Sequence, residues 1–448
     1  MTQKILNGPI YKTLISMTIP IMLANILQTC YQLIDTFWVG RLGASAVAAV
    51  SLSFPISFFL IAVGVGLAMA GSILVAQYNG QGNRVKVDMA SSQTLFLVTL
   101  FSVVIAVVGY NLAEFLLKFL TQDPAVFNQA VAYLRITFLG MPFIFIYHVF
   151  QANLRGVGSV KIPMYIISFT VIINFFIDPL LMYGWWIIPA LGVAGVAWAS
   201  FITEGLAALI GLVILISGRA GVSIKLKDLL PRREWVSKIF RLGLPTSLEH
   251  SSRSLESIFM IIIVASLGTF AVASYGLGMQ IFSFVIIPAI TFSISVSILV
   301  GNNLGANQAA RATEFASAGM KISFSFLTLV GIIFFIFAKQ ITTIFIPNEP
   351  AVIQATTAFI RFMALGYGLI GIQMSISGVL RAAGRTKITM LLTMFHAISL
   401  IIIAYSLVKI FNLGINGIWL AYPLTIFISW IVAYIVYKKV DWHHEKLI

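Results

Sequence analysis

Apolar runs of about 20 residues recur along this chain, each long enough to cross a bilayer core as a helix. Lipid offers no hydrogen-bond partners, so such a run must close its own backbone bonds. Of 448 residues, 60% are hydrophobic and 9% charged, where a soluble domain has about 25% charged. We expect an all-α integral membrane protein with twelve transmembrane helices. The spans fall at 14–38, 47–76, 93–119, 132–153, 164–184, 190–217, 240–267, 271–300, 319–345, 358–380, 387–411 and 415–437. The first run is too long for a signal-peptide core and is expected to stay as an anchor. Cys30 is the only cysteine, so no intramolecular disulfide can form.

Orientation follows from charge. The net charge is +14, and most lysines and arginines fall on both chain ends and on loops after even-numbered spans, including Arg155, Arg381, Lys438 and Lys439. The positive-inside rule puts that side in the cytoplasm of a prokaryotic inner membrane, both termini included. The positive charge is therefore a topology signal. The loops carry no nucleic-acid reader motif. The longest polar segment, 219–239, is basic and amphipathic (SIKLKDLLPRREW). It is expected to be a cytoplasmic linker at the headgroups, between lobes 1–218 and 240–448.

The chain repeats itself. Pro20 and Pro245 lead the first and seventh spans at an offset of 225. Leu42-Gly43 answers Leu267-Gly268, and SILV at Ser72–Val75 recurs at Ser297–Val300. LRGVGSVK (Leu154–Lys161) answers LRAAGRTK (Leu380–Lys387) at 226, and LGVAG at Leu191 answers LGING at Leu413 at 222. Six spans per half keep both copies in one orientation. Two six-helix bundles related by a parallel internal repeat, with substrate between them, are expected.

These landmarks, with the opening ILNGPIYKTL, the first-span ending LIDTFWVGRLG and the SILVAQYNGQG loop, resemble the multidrug and toxic compound extrusion (MATE) family. The resemblance covers nearly the whole chain. It implies a V-shaped pair of bundles, alternating access, and antiport of amphipathic or cationic organic compounds against protons or sodium. A monomer without cofactor is expected. The wider superfamily includes lipid-linked oligosaccharide flippases, which stand as the alternative.

Five acids fall inside spans: Asp35, Asp178, Glu204, Glu249 and Glu256. A carboxylate at a helix centre costs about 2.5–3.5 kcal/mol to insert, so function is the default inference. Asn25, Gln28, Gln32 and Asp35 step by 3, 4 and 3 along the first span, on one helical face. Asn174 and Asp178 share a face of the fifth span, and Pro179 removes a backbone donor there. One branch of the resembled family has an Asp in the first span and Asn-x-x-x-Asp in the fifth. The resemblance therefore implies ion coupling at Asp35, Asn174 and Asp178, with Tyr133 and Asn153 as accessory polar groups. Lipid disfavours a lone charge, and two neighbouring acids resist joint ionisation, which suits a proton switch; the same oxygens also suit sodium. The repeat partners of Asp35, Asn174 and Asp178 are Met260, Leu400 and Ala404. The polar groups exist in one half only, which a shared fold does not require.

The seventh span holds Glu249, His250, Arg253, Glu256 and Ser257. The i,i+4 and i,i+3 spacings predict pairs of Arg253 with Glu249 and Glu256. His250, Arg253 and Ser257 are partners of Asn25, Gln28 and Gln32, so this face is expected to line a substrate cavity. Glu204 has no evident partner. Gly64, Gly66 and Gly71 predict close helix packing. No Walker loop or HExxH motif occurs, and His443-His444 lacks zinc spacing. Neither an ATPase, an enzyme nor a metal site is expected.

Overall fold

The computed structural model describes residues 2–187 and 189–443; His444 of the adjacent histidines lies outside them. The chain is helical. In order the helices are α1 (Thr2–Asn7), α2 (Ile10–Gly40), α3 (Ala44–Gly80), α4 (Arg84–Lys118), α5 (Pro124–Gly156), α6 (Lys161–Tyr183) and α7 (Val193–Ser217). After the linker come α8 (Arg233–Ala265), α9 (Thr269–Gly305), α10 (Ala309–Ile336), α11 (Ala338–Phe345), α12 (Pro350–Ala364), α13 (Tyr367–Ala382), α14 (Thr386–Tyr405) and α15 (Gly414–Lys439).

Among the described residues ten helices are long and apolar enough to span, and the bent pair α12–α13 makes an eleventh. Helix α8 is long enough but carries Arg241, Glu249, Arg253 and Glu256, which lower its hydropathy. The tenth span is therefore not one straight run over 358–380. It is two helices meeting at 51° around Leu365-Gly366. The ninth lies earlier than 319–345: α10 starts at Ala309 and stops at Ile336, and α11 is a separate short helix.

Local signals set several ends. The Asp123 carboxylate accepts from the Ala125 amide at 2.8 Å, with Pro124 following, as helix starts favour. The Asn83 side chain caps α4 through the Lys86 amide at 3.1 Å. Gly64 and Gly71 lie against Phe145 of α5 and Thr94 of α4. Any side chain there would collide, which is the close packing the glycines predict.

Two compact units emerge. One holds Ile19–Ser247, the other Gln3–Thr18 with Leu248–Ile448. In the first unit the linker is pinned to α4. Gln93 donates to the Asp228 and Leu230 carbonyls, both at 2.6 Å, and accepts from the Arg232 amide at 2.9 Å. Asp88 accepts from the Ser223 amide at 2.8 Å. Ser247, near the middle of α8, donates to the Val63 carbonyl at 2.7 Å. In the second unit the Arg311 guanidinium reaches the Ile5 carbonyl at 3.3 Å and also that of Gly8.

Candidate ion site and charged seam

Three helices of the first unit bring its acids together. Asp35 lies near the end of α2 and accepts from Ser200 Oγ of α7 at 3.1 Å. Its carboxyl lies within electrostatic reach of Asn174 and Asp178 on α6. Asn174 Nδ2 donates to Asp178 Oδ1 at 3.2 Å. Asn174 and Asp178 are fully buried, while Asp35 is half-buried. The spacing of four makes the intrahelical bond possible. Helix α6 runs on through Pro179, which cannot donate to the Phe175 carbonyl.

The set keeps unused oxygens. Asp35 Oδ1, Asp178 Oδ2 and Asn174 Oδ1 are buried with no hydrogen-bond partner among the described residues. Two carboxyls in one buried cluster resist joint ionisation, which a proton or a cation relieves. Three oxygens on two helices can hold either one.

The surroundings extend the cluster. Glu204, without a visible partner in the sequence, lies within the field of Asp35. Tyr31 and Thr203 share a 2.5 Å hydroxyl bond beside it. Tyr133 senses Asp35, Glu204 and Asp178 together. Asn153 is buried, and both its side-chain polar atoms lack a hydrogen-bond partner among the described residues. Gln28 is half-buried and Gln32 exposed, and neither bonds to Asp35 among the described residues. Asn25 is half-buried. A cavity of about 460 Å³ lies near one end of the unit, lined by Leu42, Asn128, Gln129, Ala132 and Gly192 among others. Tyr133 adjoins Ala132 and packs on the small apolar cluster of Val39, Ala46, Met182, Val193 and Val196.

The second unit differs. Glu249 does not pair with Arg253. Its Oε1 takes Arg381 Nη1 at 2.7 Å and its Oε2 takes Thr389 Oγ1 at 2.9 Å. Arg381, which the loop count treats as a surface charge, is buried and also donates to Ser293 Oγ at 2.6 Å. The reason is geometric. A guanidinium on α13 meets the carboxylate from the side with two further hydroxyl partners, which an intrahelical pair cannot offer. Arg253 instead donates to Met374 Sδ at 3.4 Å, and no ion pair joins it to Glu256 among the described residues. His250 is half-buried, its Nε2 without a hydrogen-bond partner among the described residues, and Ser257 is exposed. Ser200, Arg381 and Thr389 were not singled out by the sequence; only the repeat of LRG and LRA hinted at Arg381.

Comparison with known proteins agrees with this architecture. The MatE family model matches residues 20–180 and again 245–406. The chain is 30% identical to the probable multidrug resistance protein YoeA of Bacillus subtilis, over 100% of this chain and 97% of that one. A crystal structure of MATE in complex with MaL6 superposes with TM-score 0.91 at 25% identity, covering 97% of each chain. A MOP superfamily transporter from Pyrococcus furiosus superposes with TM-score 0.90 at 25% identity, covering 98% of each chain; reverse polarity of its binding pocket suggests a different function for that protein.

Proposed function

Because the chain belongs to the MatE family, we propose that it is a secondary multidrug exporter, moving amphipathic and cationic organic compounds out of the cell in exchange for protons. The observation that carries the proton reading is the buried cluster of Asp35 and Asp178, in which Ser200 donates to Asp35 and Asn174 donates to Asp178. In lipid two neighbouring carboxyls resist ionising together, so the pair favours holding one proton. Gain of that proton turns an acceptor into a donor. The bonds from Ser200 and Asn174 must then rearrange, and α2, α6 and α7 shift between two packings. Tyr133 follows Ala132 of the cavity lining and lies in the field of Asp35 and Asp178, which supports proton entry from that end. Both termini lie in the cytoplasm on this reading, as the positive-inside rule requires.

The gradient suffices. One charge moved through 100 mV gives about 2.3 kcal/mol, and each pH unit adds about 1.4 kcal/mol per proton. The test uses the purified chain in liposomes with a cationic dye. A pH gradient alone should drive dye movement, and a sodium gradient alone should not. Movement driven by sodium alone refutes proton coupling and assigns the same oxygens to sodium.

A further inference from the structure

The segment that joins α7 to α8 folds back along the first unit. Helix α7 ends at Ser217. Gly221 lies level with the start of α4, where its carbonyl takes the Arg84 guanidinium. From there the chain returns. The Ile224 amide donates to the Leu215 carbonyl, in the last turn of α7, at 3.1 Å. The Ser223 amide meets Asp88 at 2.8 Å, and Gln93 takes the Asp228 and Leu230 carbonyls at 2.6 Å. Arg84, Asp88 and Gln93 are successive points along α4, about 14 Å from first to last at 1.5 Å per residue. That descent exceeds the headgroup layer on one side of a bilayer, which is about 5–8 Å thick. Val213 and Ile216 in the last turns of α7 are exposed apolar side chains, as a lipid-facing level requires.

The returning segment sorts its side chains. Val222, Ile224 and Asp228 are buried. The single turn Leu226–Asp228 leaves Leu226 87% and Leu230 71% exposed. Water disfavours such exposure, whereas the acyl boundary accepts it. Lys225, Lys227 and Arg233 stand beside these leucines and are exposed. The two acids of the segment are already engaged: Asp228 with Arg232 at 3.8 Å and Glu234 with Lys238 at 2.6 Å. Lys225, Lys227 and Arg233 have no ion pair among the described residues. Unpaired cations flanking apolar tips suit an interface, where the stems lie along apolar surface and the charges sit at phosphate level.

We propose that this fold-back linker is a binding site for anionic phospholipid in the leaflet on its side, the inner one on the orientation proposed above. Leu226 and Leu230 enter the acyl boundary, and Lys225, Lys227 and Arg233 take lipid phosphates. Asp88 and Gln93 hold the backbone at that depth, so the site has a fixed shape and is not a loose basic tail. A zwitterionic headgroup carries an ammonium that offsets its phosphate, and it binds less well.

A fluorophore on Leu226→Cys, in a Cys30→Ser background, reads this contact. The purified full chain is placed in vesicles of phosphatidylcholine and phosphatidylglycerol in which one lipid or the other carries brominated acyl chains. At equal mole fraction, brominated phosphatidylglycerol should quench about threefold more than brominated phosphatidylcholine. K225Q/K227Q/R233Q should bring that ratio to about one, and raised salt should lower it. Gln93→Ala should weaken quenching by both lipids, because the depth is lost while every charge is kept. A label on Leu230→Cys, with Leu226 intact, should behave in the same way. Equal quenching by both lipids with the three cations in place overturns the proposal, since the contact is then apolar only. Absence of quenching by either lipid also overturns it and makes the segment a solvated face. So does selectivity that disappears when inorganic phosphate is added at constant ionic strength, which assigns the cations to a soluble anion.

Discussion

The two units are copies, and they fill the same positions with opposite chemistry. Asp35, Tyr133, Asn174, Asp178, Ser200 and Glu204 in the first correspond to Met260, Phe359, Leu400, Ala404, Tyr422 and Ile426 in the second. All six of the latter sit in one buried apolar cluster. Phe359 packs on Trp419 with centroids 4.6 Å apart, where the first unit has its carboxyls. The scaffold is thus stable with an apolar plug at this level. The polar set in the first unit is an addition that packing does not require.

The second unit has its own polar level, elsewhere. Glu249 and Arg381 correspond to Ala24 and Arg155, so the ion pair lies eleven residues along the shared helix from the Asp35 position, about 16 Å at 1.5 Å per residue. Arg155 is kept in the first unit without an acid at the matching place. One copy carries an open set of oxygens with unfilled acceptors, while the other carries a closed ion pair with hydroxyl partners. On the proposed reading the first arrangement changes its proton count, while the second holds still.

If that contrast is right, the largest effect belongs to Asp35→Asn. Dye movement driven by a pH gradient should fall to the level of protein-free liposomes, while the melting temperature in detergent changes by less than about 2 °C. Full transport in this variant breaks the comparison. Next is the closed pair. Glu249→Leu alone should cost about 3–5 kcal/mol by stranding Arg381, and Glu249→Leu with Arg381→Met should recover most of it; thermal unfolding of both variants decides. Met260→Asp puts the first unit's acid into the second unit's plug. It should destabilise by about 2.5–3.5 kcal/mol without adding a coupled proton, as calorimetry and proton-to-dye stoichiometry would show. The smallest effect is at the linker, where Gln93→Ala removes three bonds to the 228–232 backbone. It should cost about 1–3 kcal/mol and raise amide exchange there, leaving the coupling ion unchanged.

The division between sequence and structure runs along the same lines. Asn174 and Asp178 could be joined on paper because four residues make one helical turn. The contrast with Leu400 and Ala404 was equally visible, since the repeat aligns without gaps from Leu154 to Lys161. The Arg253–Glu249 pair failed because the same local rule ignores what a neighbouring helix brings. The ninth and tenth spans break at Phe337 and at Leu365-Gly366, where hydropathy continues although the helix stops.

By itself the sequence determined that this chain lives in lipid, that it is a duplicated helical bundle, and that one copy alone carries acids on its first and fifth spans. Those facts follow from composition and periodicity, which depend on near neighbours along the chain. Only the tertiary structure decided that Ser200 serves Asp35 across 165 residues and that Arg381 serves Glu249 across 132. Such partners are set by the rotation and height of one helix against another. Many residues jointly fix those two quantities, and no single stretch of sequence encodes them.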